Sequence, residues 1–197
     1  MIPAISDTGG PQPHSYAFPM KPDDEQQFRK KILAMAADEV AARAKQLGAA
    51  TGATPAPART TARRGTIATA KTPQPNFDDV QLHVIDLSSS NEPVLILMAK
   101  ARMPQARSEG PADLQYMITL VARQDIYGDL HRVFSNVTDT QHLDVLPRYD
   151  FIDAVDADGD GRGELLFRKV SDSASAFTVY RVIGNQLWAL FDGPLGG

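Results

Sequence analysis

Between positions 155 and 167 the chain reads Val-Asp-Ala-Asp-Gly-Asp-Gly-Arg-Gly-Glu-Leu-Leu-Phe. Asp156, Asp158 and Asp160 occupy alternate positions, and Glu164 follows four residues after the last of them. Gly159, Gly161 and Gly163 supply the backbone angles that a tightly wrapped loop needs. Carboxylates at positions 1, 3 and 5 of such a loop converge on one point. That suits Ca²⁺, a hard cation that takes six to eight oxygens at about 2.3–2.6 Å. Arg162, at position 7, offers its backbone carbonyl, and Glu164 closes the site from position 9. Without a cation the carboxylates repel one another, so the cation is expected to be part of the fold.

An EF-hand shares the 1, 3, 5 pattern and a glycine at position 6, here Gly161. It also needs a bidentate Glu at position 12 and flanking helices. Position 12 is Phe167, and the flanks Tyr149–Val155 and Leu165–Val170 read as strands. The EF-hand is therefore rejected. From Asn76 onward the whole texture is β. Val80–Ile85, Val94–Leu97, Tyr116–Ala122, Phe177–Ile183 and Leu187–Phe191 are strand-like runs, and Leu130–Val137 fits either a strand or a helical face. Turn signals lie between them at Asn91-Glu92-Pro93, Tyr127-Gly128-Asp129, Gly184-Asn185 and Asp192-Gly193-Pro194. Gly184-Asn185 is the best hairpin candidate.

A strand, then Asp-x-Asp-Gly-Asp-Gly-x-x-Glu-Leu, then a second strand resembles the FG-GAP/VCBS repeat of integrin-α-type β-propellers. Phe177-Thr-Val-Tyr180 and Leu187-Trp188 fit the remainder of such a blade, and the likeness covers residues 149 to 193. It implies a Ca²⁺ loop with Asp156, Asp158, Asp160 and Glu164 as side-chain ligands and Arg162 as a carbonyl ligand. A degenerate copy lies upstream. Val84 to Ile96 aligns without gaps onto the stretch from Ala154, seventy residues later. Asp86 then falls on Asp156, Ser88 on Asp158, Ser90 on Asp160 and Val94 on Glu164, so the upstream copy lacks the ligands for Ca²⁺. The expected fold is mainly β: two antiparallel, propeller-blade-like sheets, as a compact sandwich or a partial propeller, from repeats at about 76–137 and 146–193. Two blades do not close a ring, which takes four to eight.

The first 75 residues differ in kind and hold nine of the fourteen prolines. Residues 1–21 read as a mobile lead-in. Residues 22–48 read as a helix, with a capping box from Asp23 to Gln26 and Gly48 as its C-terminal cap. Leu33, Ala37, Val40, Ala44 and Leu47 form a thin apolar seam, for docking on the chain's own domain or on a partner. Residues 49–75 are Ala-, Thr- and Pro-rich with Arg59, Arg63, Arg64 and Lys71 and no acid, which reads as a flexible linker.

The absence of cysteine excludes disulfides, thiolate metal sites and a cysteine nucleophile. A net charge of −4 argues against a nucleic-acid protein. No apolar run is long enough to span a membrane, and Met-Ile-Pro-Ala-Ile-Ser-Asp does not read as a signal peptide. P-loop, Gly-x-Ser-x-Gly and His-Glu-x-x-His motifs are missing. His14, His83, His131 and His142 read as ordinary histidines, Trp188 as core, and Asn136-Val-Thr138 as a weak glycosylation pattern. Asp150 and Asp153 either join the acidic cluster or point outward from a strand. The resulting expectation is a non-enzymatic, Ca²⁺-stabilised β module in an extracytoplasmic setting. Partners would bind through helix 22–47 or the blade faces. The alternative is a structural subunit docked through helix 22–47.

Overall fold

The computed structural model describes residues 16–50, 74–104 and 114–196. His14 and the linker charges Arg59, Arg63, Arg64 and Lys71 lie outside the described residues. The elements are α1 (Pro22–Ala50), β1 (Asn76–Ile85), β2 (Val94–Arg102), β3 (Gln115–Gln124), β4 (Leu130–Asp139), β5 (Arg148–Val155), β6 (Glu164–Val170), β7 (Ser175–Ile183) and β8 (Gln186–Asp192). The fold is mainly β: two antiparallel four-stranded sheets, each in the order of its strands along the chain, preceded by one helix.

The helix begins at Pro22 rather than with Asp23 as its cap. Lys21 O accepts from the N–H groups of both Asp24 and Glu25 at 3.1 Å, and proline suits the first helical position because its missing donor would have had no partner there. Asp23, Asp24 and Glu25 then sit in the first turn, against the positive end of the helix dipole. At the other end the helix continues through Gly48 to Ala50. Its buried stripe is Phe28, Ile32, Ala36 and Val40, with Ala37 beside it, while Leu33, Ala44 and Leu47 are only partly buried. The expected seam thus lies along one side of the true one. A flat sheet is met by a broad helical face, not by the narrow stripe of a two-helix contact.

That face lies on the first sheet, against Val84, Leu95, Leu97, Ala99, Ile118, Leu120 and Val137. An Arg132–Glu39 ion pair and a hydrogen bond from Lys31 Nζ to Gly128 O (2.9 Å) pin the helix at its margin. The opposite side of the first sheet carries Ile85, Val94, Ile96 and Val121. These pack on Leu165 and Phe167 of the second sheet, with Tyr149, Phe151 and Tyr180 around them. The first sheet is therefore a middle layer. This is why β2 and β3 are apolar on both faces, with Val94–Leu97 almost wholly buried. Each such Leu or Ile contributes roughly 1.5–3 kcal/mol by leaving water.

Residues 16–20 depart from the expected mobile lead-in. Ala17 bridges to Ile85, Phe18 N donates to Val84 O, and Tyr16 O accepts from Asp86 N at 2.8 Å. Phe18 and Met20 pack on the helix side of the sheet and Tyr16 on the other. The hairpin at Gly184-Asn185 has two loop residues, with Ile183 paired to Gln186. Gly184 takes a positive φ, as the first position of a type II′ turn requires. Leu130–Asp139 is a strand.

The two sheets stack in one direction. Val84, Leu95 and Leu97 face the helix, yet their counterparts seventy residues on, Ala154, Leu165 and Phe167, face the first sheet. Each sheet thus turns the same side toward the layer before it, and the two packed sheets are consistent with either a compact sandwich or a partial propeller. Trp188 corrects the reading of it as core. It is 64% exposed, because β8 lies in the outermost of the described layers and Trp188 points away from the first sheet.

Candidate metal centre

The loop between β5 and β6 wraps around the Asp156 carboxylate. Oδ1 accepts from Gly159 N at 2.7 Å and Oδ2 from Gly161 N at 3.0 Å. Gly159 and Gly161 hold φ near +80°, where a Cβ would be strained. Asp160 Oδ1 accepts from Arg162 N at 2.9 Å. Glu164, at the start of β6, is fully buried, and its Oε2 accepts from Ala157 N at 2.8 Å. The outcome is one acidic cluster, in which oxygens of Asp156, Asp158 and Glu164 all lie within 4.8 Å of one another. That spread matches the span of oxygens around one Ca²⁺. Asp160 stands outside this trio but faces the same cation, described next. Arg162 is in the loop, and its amide is spent on Asp160.

The charge that answers the cluster comes from β7, and the motif does not contain it. Leu165 pairs with Tyr180, which sets Arg181 beside Glu164 on the neighbouring strand. Arg181 Nη2 lies 2.6 Å from Glu164 Oε1, 2.8 Å from Asp158 Oδ2 and 3.2 Å from Asp160 Oδ2, and Nε donates to Glu164 Oε1 at 2.9 Å. Hydrogen bonding to Glu164, then to Asp158, raises the guanidinium pKa above its already high ordinary value. Arg181 thus sets a cation of the chain itself against the carboxylate repulsion. A metal ion can still bind, since each carboxylate oxygen has lone pairs left. It must then compete with Nη2.

Tyr16 is the other residue the motif could not indicate. Its phenol pKa is raised, first by burial and then by the charges of Asp156, Glu164 and Asp160. Its hydroxyl is buried without a hydrogen-bond partner. The ring packs against Gly163, where a Cβ would lie 3.0 Å from Tyr16 Cε1 and 2.9 Å from Leu87 Cδ2. Gly163 N also donates to Leu87 O at 2.7 Å, so the acidic loop is seated on the loop between β1 and β2.

That upstream loop has the same build but keeps only the first of the acids, Asp86. Asp86 Oδ2 accepts from Asn91 N at 2.9 Å, as Asp156 Oδ2 does from Gly161 N. Ser89 and Asn91 take the positive φ that Gly159 and Gly161 take seventy residues on. Where Asp158 and Asp160 would stand, Ser88 Oγ donates to Ser90 Oγ at 3.0 Å. A cleft of about 370 Å³ runs between the two loops, bordered by Ser88, Ser90, Glu92, Arg123, Arg162 and Arg181.

Other candidates lie apart. Asp150 pairs with Arg148 at 2.9 Å and Arg168 at 3.1 Å, and Asp153 accepts from Ala154 N. Neither joins the acidic cluster. His131 bonds Asp125 at 2.8 Å, His142 bonds Asp139 at 2.7 Å, and His83 packs on Phe151. These three histidines share no site. Asn136 and Thr138 are both buried, which closes the glycosylation pattern to modification. Among the described residues no helix is long and apolar enough to cross a membrane. No protein-family model, curated protein or solved structure matches the chain.

Proposed function

We propose that the chain is a non-enzymatic β module stabilised by Ca²⁺ at the β5–β6 loop. The observation that carries this is the convergence of the loop carboxylates: oxygens of Asp156, Asp158 and Glu164 all lie within 4.8 Å of one another, the span of oxygens around one Ca²⁺. Asp156, Asp158, Asp160 and Glu164, with the Arg162 carbonyl, would hold the ion there. Its contribution is structural: a divalent charge that locks the loop, with no carboxylate left as a general acid. Extracellular modules bind Ca²⁺ at about 10⁻⁴–10⁻³ M, and a site of that strength fills in a calcium-rich, extracytoplasmic setting. The reading of helix 22–47 as a docking element has less support, because Phe28, Ile32, Ala36 and Val40 are already buried on the first sheet.

The test is thermal unfolding of the full chain in excess EGTA, in about 10 mM Ca²⁺ and in about 10 mM Mg²⁺. An ion at a hundred times its dissociation constant adds about 2.7 kcal/mol. A Ca²⁺-specific rise of several degrees, lost in Asp158→Ala, is expected. Identical curves in all three buffers would refute the proposal.

A further inference from the structure

We infer that the cleft between the β1–β2 and β5–β6 loops binds a small oxyanion ligand, a phosphate monoester or carboxylate carrying a short apolar body. The cleft measures about 370 Å³, the size of a small-molecule site. Three arginines border it, Arg123, Arg162 and Arg181, against one carboxylate, Glu92. None of the four acids of the β5–β6 loop borders it. The inference therefore goes beyond the calcium reading and does not depend on a bound metal ion.

The donors left over decide what the cleft can hold. Arg123 is spent: Nη1 donates to Glu92 at 2.7 Å and Nη2 to Asn185 Oδ1 at 3.3 Å. That pair also answers the one negative charge on the border. Arg181 gives Nε and Nη2 to the acidic loop, and among the described residues its Nη1 has no acceptor. Arg162 is exposed, and only its backbone N–H is used, on Asp160; no described residue bonds or pairs with its guanidinium. Ser90 Oγ accepts from Ser88 Oγ and keeps its own proton for another acceptor. One whole guanidinium, part of a second and a hydroxyl thus border a single cleft, and among the described residues no carboxylate meets them. Guanidinium groups take the oxygens of phosphate and carboxylate in pairs, with charge-assisted hydrogen bonds. This favours an oxyanion over a neutral or cationic ligand. The buried Leu87 and Val94 also border the cleft, and so does Ile183, a large apolar side chain that is 55% exposed. They give the ligand's apolar part a surface to cover. The acids of the β5–β6 loop oppose an incoming anion, so the affinity is modest.

The experiment titrates the isotope-labelled full chain with phenyl phosphate to about 20 mM, in EGTA at about pH 6.5, and follows the arginine Nε–H resonances by NMR. Sodium chloride at matched ionic strength and phenol are the controls. The Arg162 and Arg181 resonances should shift and saturate with a dissociation constant on the order of 1 mM, the scale for a ligand of this size, and neither control should reproduce this. Arg162→Gln should weaken the binding at least tenfold, read at Arg181, with an unchanged circular dichroism spectrum. If that variant does not fold, Ile183→Glu, which sets a carboxylate at an exposed position on the border, should weaken it at least threefold. Shifts that do not saturate and match those in sodium chloride would overturn the inference. So would phenol binding as tightly as phenyl phosphate, or a folded Arg162→Gln that binds phenyl phosphate as the wild type does.

Discussion

Replacing Phe167 with alanine removes the ring that holds the two sheets together. Phe167 is fully buried, and its ring lies 5.6–6.5 Å from those of Phe134, Tyr149, Phe151 and Tyr180, one from the first sheet and three from the second. Phe→Ala in a core costs about 3–5 kcal/mol, the larger values where neighbours cannot collapse into the gap. Here the neighbours are rings fixed on strands, and edge-to-face contacts are lost with the burial. A loss of about 4 kcal/mol is expected, a large share of the 5–15 kcal/mol that stabilises a typical domain. For a chain of this size that is roughly 8–16 °C in Tm. Urea unfolding followed by far-ultraviolet circular dichroism measures it, with Ile152→Ala, on an exposed residue, as the control that should stay within about 0.5 kcal/mol. A cost for Phe167→Ala below about 1 kcal/mol would show that the sheets do not pack through this residue.

Gly163→Ala pushes a methyl to within 2.9–3.1 Å of Leu87 and Tyr16; overpacking of this kind should cost about 1–3 kcal/mol, read as a lower urea midpoint. Arg181→Gln removes the cation that competes with the metal, so the variant should unfold earlier in EGTA and show a larger Ca²⁺-induced rise in Tm than the wild type; an unchanged rise would contradict competition at Nη2. The phenols of Tyr16, Tyr116 and Tyr149 all have raised pKa values, chiefly through burial. The native state therefore keeps protons that the unfolded chain releases near pH 10. Stability should be unaffected by these groups below that pH and should fall as pH climbs above it. Tm measured from pH 8 to 11, with phenolate absorbance at 295 nm, checks the direction.

Much of the β architecture was legible because the strands are short apolar runs between turn residues. The gapless match of Val84–Ile96 to the stretch from Ala154 fell on two loops of like backbone, down to the positive φ of Ser89 and Gly159 and of Asn91 and Gly161. What could not be read was which face each layer covers. Trp188 among Leu187, Leu190 and Phe191 looks like core in one dimension, but burial depends on whether another layer follows, and none of the described ones does. The helix was legible in kind and shifted in phase, because Leu33 and Ile32 are neighbours and only the sheet decides which one faces it. Within the site, spacing located Asp156, Asp158 and Glu164. Arg181 was hidden because its proximity depends on the pairing of Leu165 with Tyr180 across two strands. An arginine on the strand facing an acidic loop is a weak signal until that register is known. Tyr16 lies well over a hundred residues upstream and gave none.

The most direct test of the calcium reading is a titration of the isotope-labelled full chain followed by two-dimensional NMR of its backbone amides. The amides of Ala157, Gly159, Gly161 and Arg162, each bonded to a loop carboxylate, should shift and saturate with a dissociation constant of about 10⁻⁴–10⁻³ M for Ca²⁺. Ser88, Ser90 and Asn91 in the upstream loop should move far less. Amides of the acidic loop that stay in place up to about 10 mM Ca²⁺ would contradict the account and leave Arg181 as the only cation the loop was built to hold.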